Sequence, residues 1–143
     1  MKNIIYLLFF ITTISYGQDW VTDFEEAKEI AIAKEQKIIL VFQGSDWCAP
    51  CIKLDREIWS TDIFKSYAKD HYVMLQADFP RKKKNALPEA QATANAQLAE
   101  TYNRQGIFPF VVVLDAKGNV LGQTSYKKIA PKEYINHIES FKI

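Results

Sequence analysis

The chain has two cysteines, Cys48 and Cys51, and both lie in the segment Cys48-Ala49-Pro50-Cys51. Sulfurs at that spacing can open and close a disulfide. A thiolate at Cys48 attacks a foreign disulfide, and Cys51 then displaces the partner. A structural staple is the plain alternative in an exported chain. Closing so short a loop restricts the unfolded chain by only ~2 kcal/mol, against ~3 kcal/mol for a loop of about 15 residues. The pair is weak as a staple and well suited to be a switch.

Other chemistries at these positions find less support. A structural zinc site wants four Cys or His ligands. His71 and His137, the two histidines, stand at no ligand spacing from the cysteines and read as surface or strand-end residues. Two sulfurs would suit copper, but nothing else in the sequence points to it. No metal and no cofactor are expected. Asp46, two residues before Cys48, is a candidate for proton transfer, or else a polar loop residue. Trp47 offers a flat wall for a substrate groove, or a core side chain. Lys53 and Arg56 read as solvated, with a contribution to the positive potential near Cys48 as the sharper reading.

The elements that must position the cysteines follow from periodicity. Lys37 to Gln43 (KIILVFQ) is a short apolar run that reads as a buried strand. Gly44-Ser45-Asp46 breaks it, and a helix begins at the cysteine segment and runs to about Trp59. Upstream, Thr22-Asp23-Phe24-Glu25 predicts a capped helix to about Glu35. Downstream, Ser60-Thr61-Asp62 caps a helix over 63–69. Tyr72 to Ala77 is a second strand, and 78–88 a loop containing Arg81-Lys82-Lys83-Lys84. That cluster is a solvated loop or a docking patch for an acidic partner. Pro88 opens an alanine-rich helix to about Tyr102. Strands are expected at Phe110–Leu114 and Val120–Ser125, joined by hairpin turn residues 115–119. A last helix follows Pro131. Strand–helix–strand units ending in a hairpin predict an α/β chain: a central mixed sheet with helices on both faces.

Cys48 therefore falls at the mouth of a helix, where unpaired amides favour a negative sulfur. Its thiol is expected below the usual ~8.5. Cys51, inside the first turn, faces the same side and is more shielded. Pro50 suits an early helical position, where its missing N–H does no harm.

These residues resemble a known family. Gly44-Ser45-Asp46-Trp47-Cys48-Ala49-Pro50-Cys51 is similar to the active-site segment of thioredoxins. Gly106-Ile107-Phe108-Pro109 resembles their Gly-Ile-x-x-Pro segment, slightly shortened. The resemblance covers about Asp19 to Phe141 and implies a thioredoxin fold. It also implies a cis bond before Pro109, a state of only ~5% of X–Pro bonds in folded proteins. A groove of Trp47, Ala49, Pro50, Phe108 and Pro109 is implied too, with the Phe108 backbone presented for strand pairing with substrate. Exported members look most similar, among them the DsbH and DsbD C-terminal-domain families. They imply a membrane electron donor of the DsbD type. The chain departs from thioredoxins at Phe42 and Met74, apolar residues where those proteins carry a buried acid and its paired lysine. Solvent or Asp46 would then take the proton of Cys51.

The start of the chain reads as a secretory leader. Lys2 precedes the uncharged run Ile4–Ile14, and Ser15-Tyr16-Gly17 has small residues at the two positions a signal peptidase reads. The run is short for a bilayer span. Cleavage near Gly17 would leave 18–143 as one thioredoxin-like domain, periplasmic or secreted, able to fold without a staple. Losing Lys2 takes the Lys and Arg count from 18 to 17, equal to the 17 Asp and Glu. That balance argues against a nucleic-acid partner. The expected product is a monomeric oxidoreductase acting on exported proteins with disulfides or thiols. A noncatalytic binding module is the alternative.

Overall fold

The computed structural model describes residues 18–142. The leader expected over residues 1–17 lies outside them. In chain order the elements are β1 (Trp20–Val21), α1 (Phe24–Lys34), β2 (Lys37–Gln43), α2 (Ala49–Leu54), a π-helical turn (Asp55–Trp59), α3 (Asp62–His71), β3 (Tyr72–Asp78), a 3-10 turn (Lys83–Asn85), α4 (Glu89–Tyr102), β4 (Phe110–Leu114), β5 (Val120–Thr124) and α5 (Pro131–Glu139).

The strands form one mixed sheet in the order β1-β3-β2-β4-β5. β2 and β3 are parallel from Lys37↔Tyr72 to Gln43↔Asp78. β4 runs antiparallel to β2, from Ile38↔Leu114 to Phe42↔Phe110. β2 is therefore central, and its continuous apolar run is explained by burial on both faces. Ile39 and Val41 face a core with Leu54, Ile58, Trp59, Phe64 and Tyr134. Ile38, Leu40 and Phe42 face a second core with Ala27, Ala31 and Leu98. The period-2 alternation of one strand thus serves two helical layers: α2, α3 and α5 on one side, α1 and α4 on the other. Phe42 and Met74 are both core side chains, as their apolar character implies.

Three local features differ from the sequence reading. β1 is an additional edge strand of two residues, held by the pairs Trp20↔Met74 and Val21↔Leu75; it is too short to show a period. The cap of α1 is Asp23, whose Oδ1 accepts from the Glu26 N–H at 2.8 Å, and not Thr22. The helix after the cysteines widens at Asp55–Trp59, where the Ser60 N–H reaches the Asp55 carbonyl at 2.8 Å. That turn leaves Leu54, Ile58 and Trp59 all buried. Trp59 packs edge-on against Phe64 and Tyr134, with centroids at 4.7 and 5.4 Å.

Candidate functional site

Cys48 and Cys51 are joined in a disulfide at the carboxyl end of β2, with Cα atoms 5.2 Å apart. Cys48 is the N-cap of α2 in extended backbone, and its Sγ accepts from the Cys51 N–H at 3.3 Å. The sulfur thus occupies the place that an oxygen takes at an ordinary helix start. Pro50 stands in the first turn. Cys48 is 3% exposed and Cys51 4%, so the greater shielding expected of Cys51 is not a feature of this oxidised state. Ala49 and Pro50 are exposed beside them.

The turn that delivers Cys48 is fastened to the end of β3 and the chain after it. The Cys48 N–H donates to the Gly44 carbonyl at 2.9 Å. A Cβ on Gly44 would lie 2.2 Å from the Trp47 ring, so only glycine fits. Asp78 accepts from the Ser45 N–H at 2.9 Å and from the Ser45 hydroxyl at 2.6 Å. The Trp47 Nε1–H donates to the Phe79 carbonyl at 2.8 Å. Asp46 accepts from the Arg81 N–H at 2.9 Å, the Lys82 N–H at 3.0 Å and Asn85 Nδ2 at 2.9 Å. Those donors, led by the Arg81 amide, lower its pKa to about 2. A carboxylate so satisfied is an anchor and a poor base, and a proton-accepting role for Asp46 finds no support in this geometry.

Opposite Trp47 stands the segment after α4. The Phe108–Pro109 bond is cis. The Phe108 ring meets Trp47 edge-on at 5.5 Å and Phe79 at 5.4 Å, so the structure brings the two motifs together. Two polar side chains hold this segment. Buried Asn103 accepts from the Ile107 N–H at 3.0 Å and donates to the Ile107 carbonyl at 2.9 Å. The Ser125 hydroxyl donates to the Pro109 carbonyl at 2.6 Å. Between these anchors, the Phe108 N–H and C=O have no hydrogen-bond partner among the described residues.

The sequence reading missed Asp78, Asn103, Ser125 and the seat of Arg81, whose guanidinium lies 3.6 Å from the Trp47 ring centroid. The partners of Asp78, Ser125 and Arg81 lie far along the chain, and Asn103, which clasps Ile107 only four residues on, reads as an ordinary helix cap. The histidines stand apart from the cysteines. His71 ends α3, its ring stacked on Tyr67 at 3.8 Å. His137 lies in α5, with Nε2 2.9 Å from the Thr124 hydroxyl. Among the described residues no group of three or more His, Cys, Asp or Glu is placed to hold a metal, and no helix is long and apolar enough to cross a membrane.

Comparison with known proteins agrees with this geometry. The thioredoxin-like family model matches residues 19–116. The disulfide bond reductase DsbH of Chlamydia pneumoniae is 35% identical over 117 residues, spanning 82% of this chain and 69% of that protein. A solved DsbH oxidoreductase superposes with a TM-score of 0.80 at 30% identity, covering 96% of this chain and 93% of its own. The oxidised C-terminal domain of DsbD from Neisseria meningitidis gives 0.56 at 15% identity, covering 82% and 92%. At that identity the last match speaks to the fold alone, and the fold is the one expected from the sequence.

Proposed function

The chain belongs to the thioredoxin-like family, and from that premise we propose that it is a thiol–disulfide oxidoreductase that reduces disulfides in exported proteins. The observation that carries this reading is the Cys51 amide aimed at the Cys48 sulfur at 3.3 Å. A donor in that position stabilises a thiolate at Cys48 when the disulfide is open.

In the reduced protein, the Cys48 thiolate attacks one sulfur of a client disulfide. The client S–S bond breaks, and the released client thiolate takes a proton from solvent. Cys51 loses its proton to solvent and attacks Cys48 Sγ. The mixed disulfide breaks, the second client sulfur leaves as a thiolate that takes a proton from solvent, and Cys48–Cys51 closes. Two electrons pass to the client. A dithiol donor must return them, and a membrane donor of the DsbD type fits that need. Trp47, Ala49 and Pro50 wall the groove. The unpartnered Phe108 backbone, followed by Pro109, offers a short strand pairing to an extended client segment.

Reduction is favoured over oxidation by Pro50, which resembles the reducing members, and by the likeness to a protein named as a reductase. Export rests on the leader read over residues 1–17.

Two measurements test the reading. Cys51→Ser should trap mixed disulfides with client proteins on non-reducing gels, and a clean gel would remove Cys48 as the attacking thiol. The Cys48–Cys51 reduction potential against glutathione should fall toward ~-270 mV, the thioredoxin end of the range. A value near ~-120 mV would make the protein an oxidant.

A further inference from the structure

Beside the cysteines the fold sets a row of four cations, Arg81, Lys82, Lys83 and Lys84, all exposed. No salt bridge among the described residues reaches any of their side chains. Asp46 lies against the row, but its carboxylate is taken up by two backbone amides and Asn85. The same bonds fix the row in place, aided by the 3-10 turn at Lys83–Asn85. The rest of the chain holds 14 Lys and Arg against 17 Asp and Glu and is net negative, so the row is a local, preorganised surplus of positive charge. Preorganisation lowers the ordering cost of binding.

The row has a definite relation to the groove. Arg81 stacks on Trp47, the residue before Cys48. The neighbouring surface is apolar: Ile52 is 49% exposed and Ile107 38%. A segment laid along Phe108 would meet apolar side chains over the cysteines and cations where it passes Trp47.

We infer that the Arg81–Lys84 row is a docking rim for acidic client segments. Resting on the oxidoreductase reading, its occupant is an extended stretch of client polypeptide with Asp or Glu a few residues from the disulfide that Cys48 attacks. A bilayer pressed onto the row would cover the groove as well, which favours a peptide over an anionic membrane. Complementary charge at a rim acts chiefly on encounter rate and partner choice.

The test uses three matched peptides, each with one internal disulfide, flanked by Glu, by Lys or by Gln. Turnover by the reduced protein is measured alongside fluorescence-anisotropy binding to the oxidised protein. At low salt the Glu-flanked peptide should bind about tenfold more tightly than the Gln-flanked one, with the Lys-flanked peptide weakest. The spread should close in ~0.5 M salt. The variant Lys82→Glu/Lys83→Glu/Lys84→Glu, checked for fold by circular dichroism, should invert the order. Equal binding of the three peptides overturns the rim. So does binding to anionic phosphatidylserine vesicles with no preference among peptides, which would turn the row toward a membrane. Acid preference in binding with no turnover of any peptide supports the rim and removes the enzyme reading alone.

Discussion

Helices α1 and α2 open with the same geometry and different chemistry. At α1, Asp23 sits in extended backbone and takes the Glu26 N–H at 2.8 Å. At α2, Cys48 sits in extended backbone and takes the Cys51 N–H at 3.3 Å. Both side chains serve the amide three residues on, the standard task of a helix cap. Asp23 is exposed, and its carboxylate has no other partner among the described residues. Cys48 is buried, its sulfur bonded to a second sulfur on the same residue whose amide it accepts. On the proposed reading, the difference teaches that a redox centre needs little special architecture. An ordinary cap becomes one when the accepting atom is sulfur, the partner residue supplies another, and a groove stands alongside.

The largest effect should come from making α2 more like α1. Cys48→Ser puts an oxygen back at the cap, so the helix start should persist. Removing so short a disulfide loop should cost no more than ~2 kcal/mol, while turnover of a model protein disulfide should fall to background. Residual turnover above that background would show that Cys51 or another group attacks, and the contrast between the two caps would lose its meaning. Titration of the reduced wild type sharpens the same point. The Cys48 thiol should ionise below the usual ~8.5, and an ordinary value would make the cap geometry chemically idle.

A smaller effect is expected at α1. Asp23→Ala removes an oxygen cap and should cost about 1 kcal/mol in denaturant unfolding. It should leave the Cys48–Cys51 reduction potential where it was. A shifted potential would mean the two helix openings are coupled through the α1 layer.

The parts of this arrangement legible in the sequence were those written in neighbouring residues. Cys48-Ala49-Pro50-Cys51 after a buried strand announced the sulfur cap, and KIILVFQ announced the strand. The limits of β2 and β4 were readable because both are short apolar runs between turn residues. What stayed hidden was written across the fold. β1 is a strand only because Trp20 and Val21 lie beside Met74 and Leu75. The π-helical turn follows from burying both Ile58 and Trp59. Ser125 matters because of Pro109, 16 residues back, whereas Asn103 stayed hidden although Ile107 is only four residues on, because its type announces a helix cap. Asp46 is the sharpest case. Its place beside the cysteines suggested proton chemistry, whereas its partners, 35 to 39 residues on, make it a fastener.

Asp46 also carries the comparison one step away from helices, because it too is a carboxylate serving backbone amides. Its pKa is lowered to about 2, first by the Arg81 amide and then by Asn85. A carboxyl group held below its unfolded value, ~3.9, stabilises the native state in full above that value. The contribution is lost as pH falls through about 2. Wild type and Asp46→Asn should therefore show a constant stability difference above pH ~5 that shrinks between pH 4 and 2. Over the same window the Arg81 and Lys82 amides should gain exchange with solvent in the wild type, while the amides of α1 and α2 should hold. The effect is the smallest of the series because the carboxylate is solvent-accessible and its benefit is screened. A stability difference that stays flat down to pH 2 would show that the basic row is held by something other than Asp46. The fastening of that row to the Cys48 turn would then need another cause.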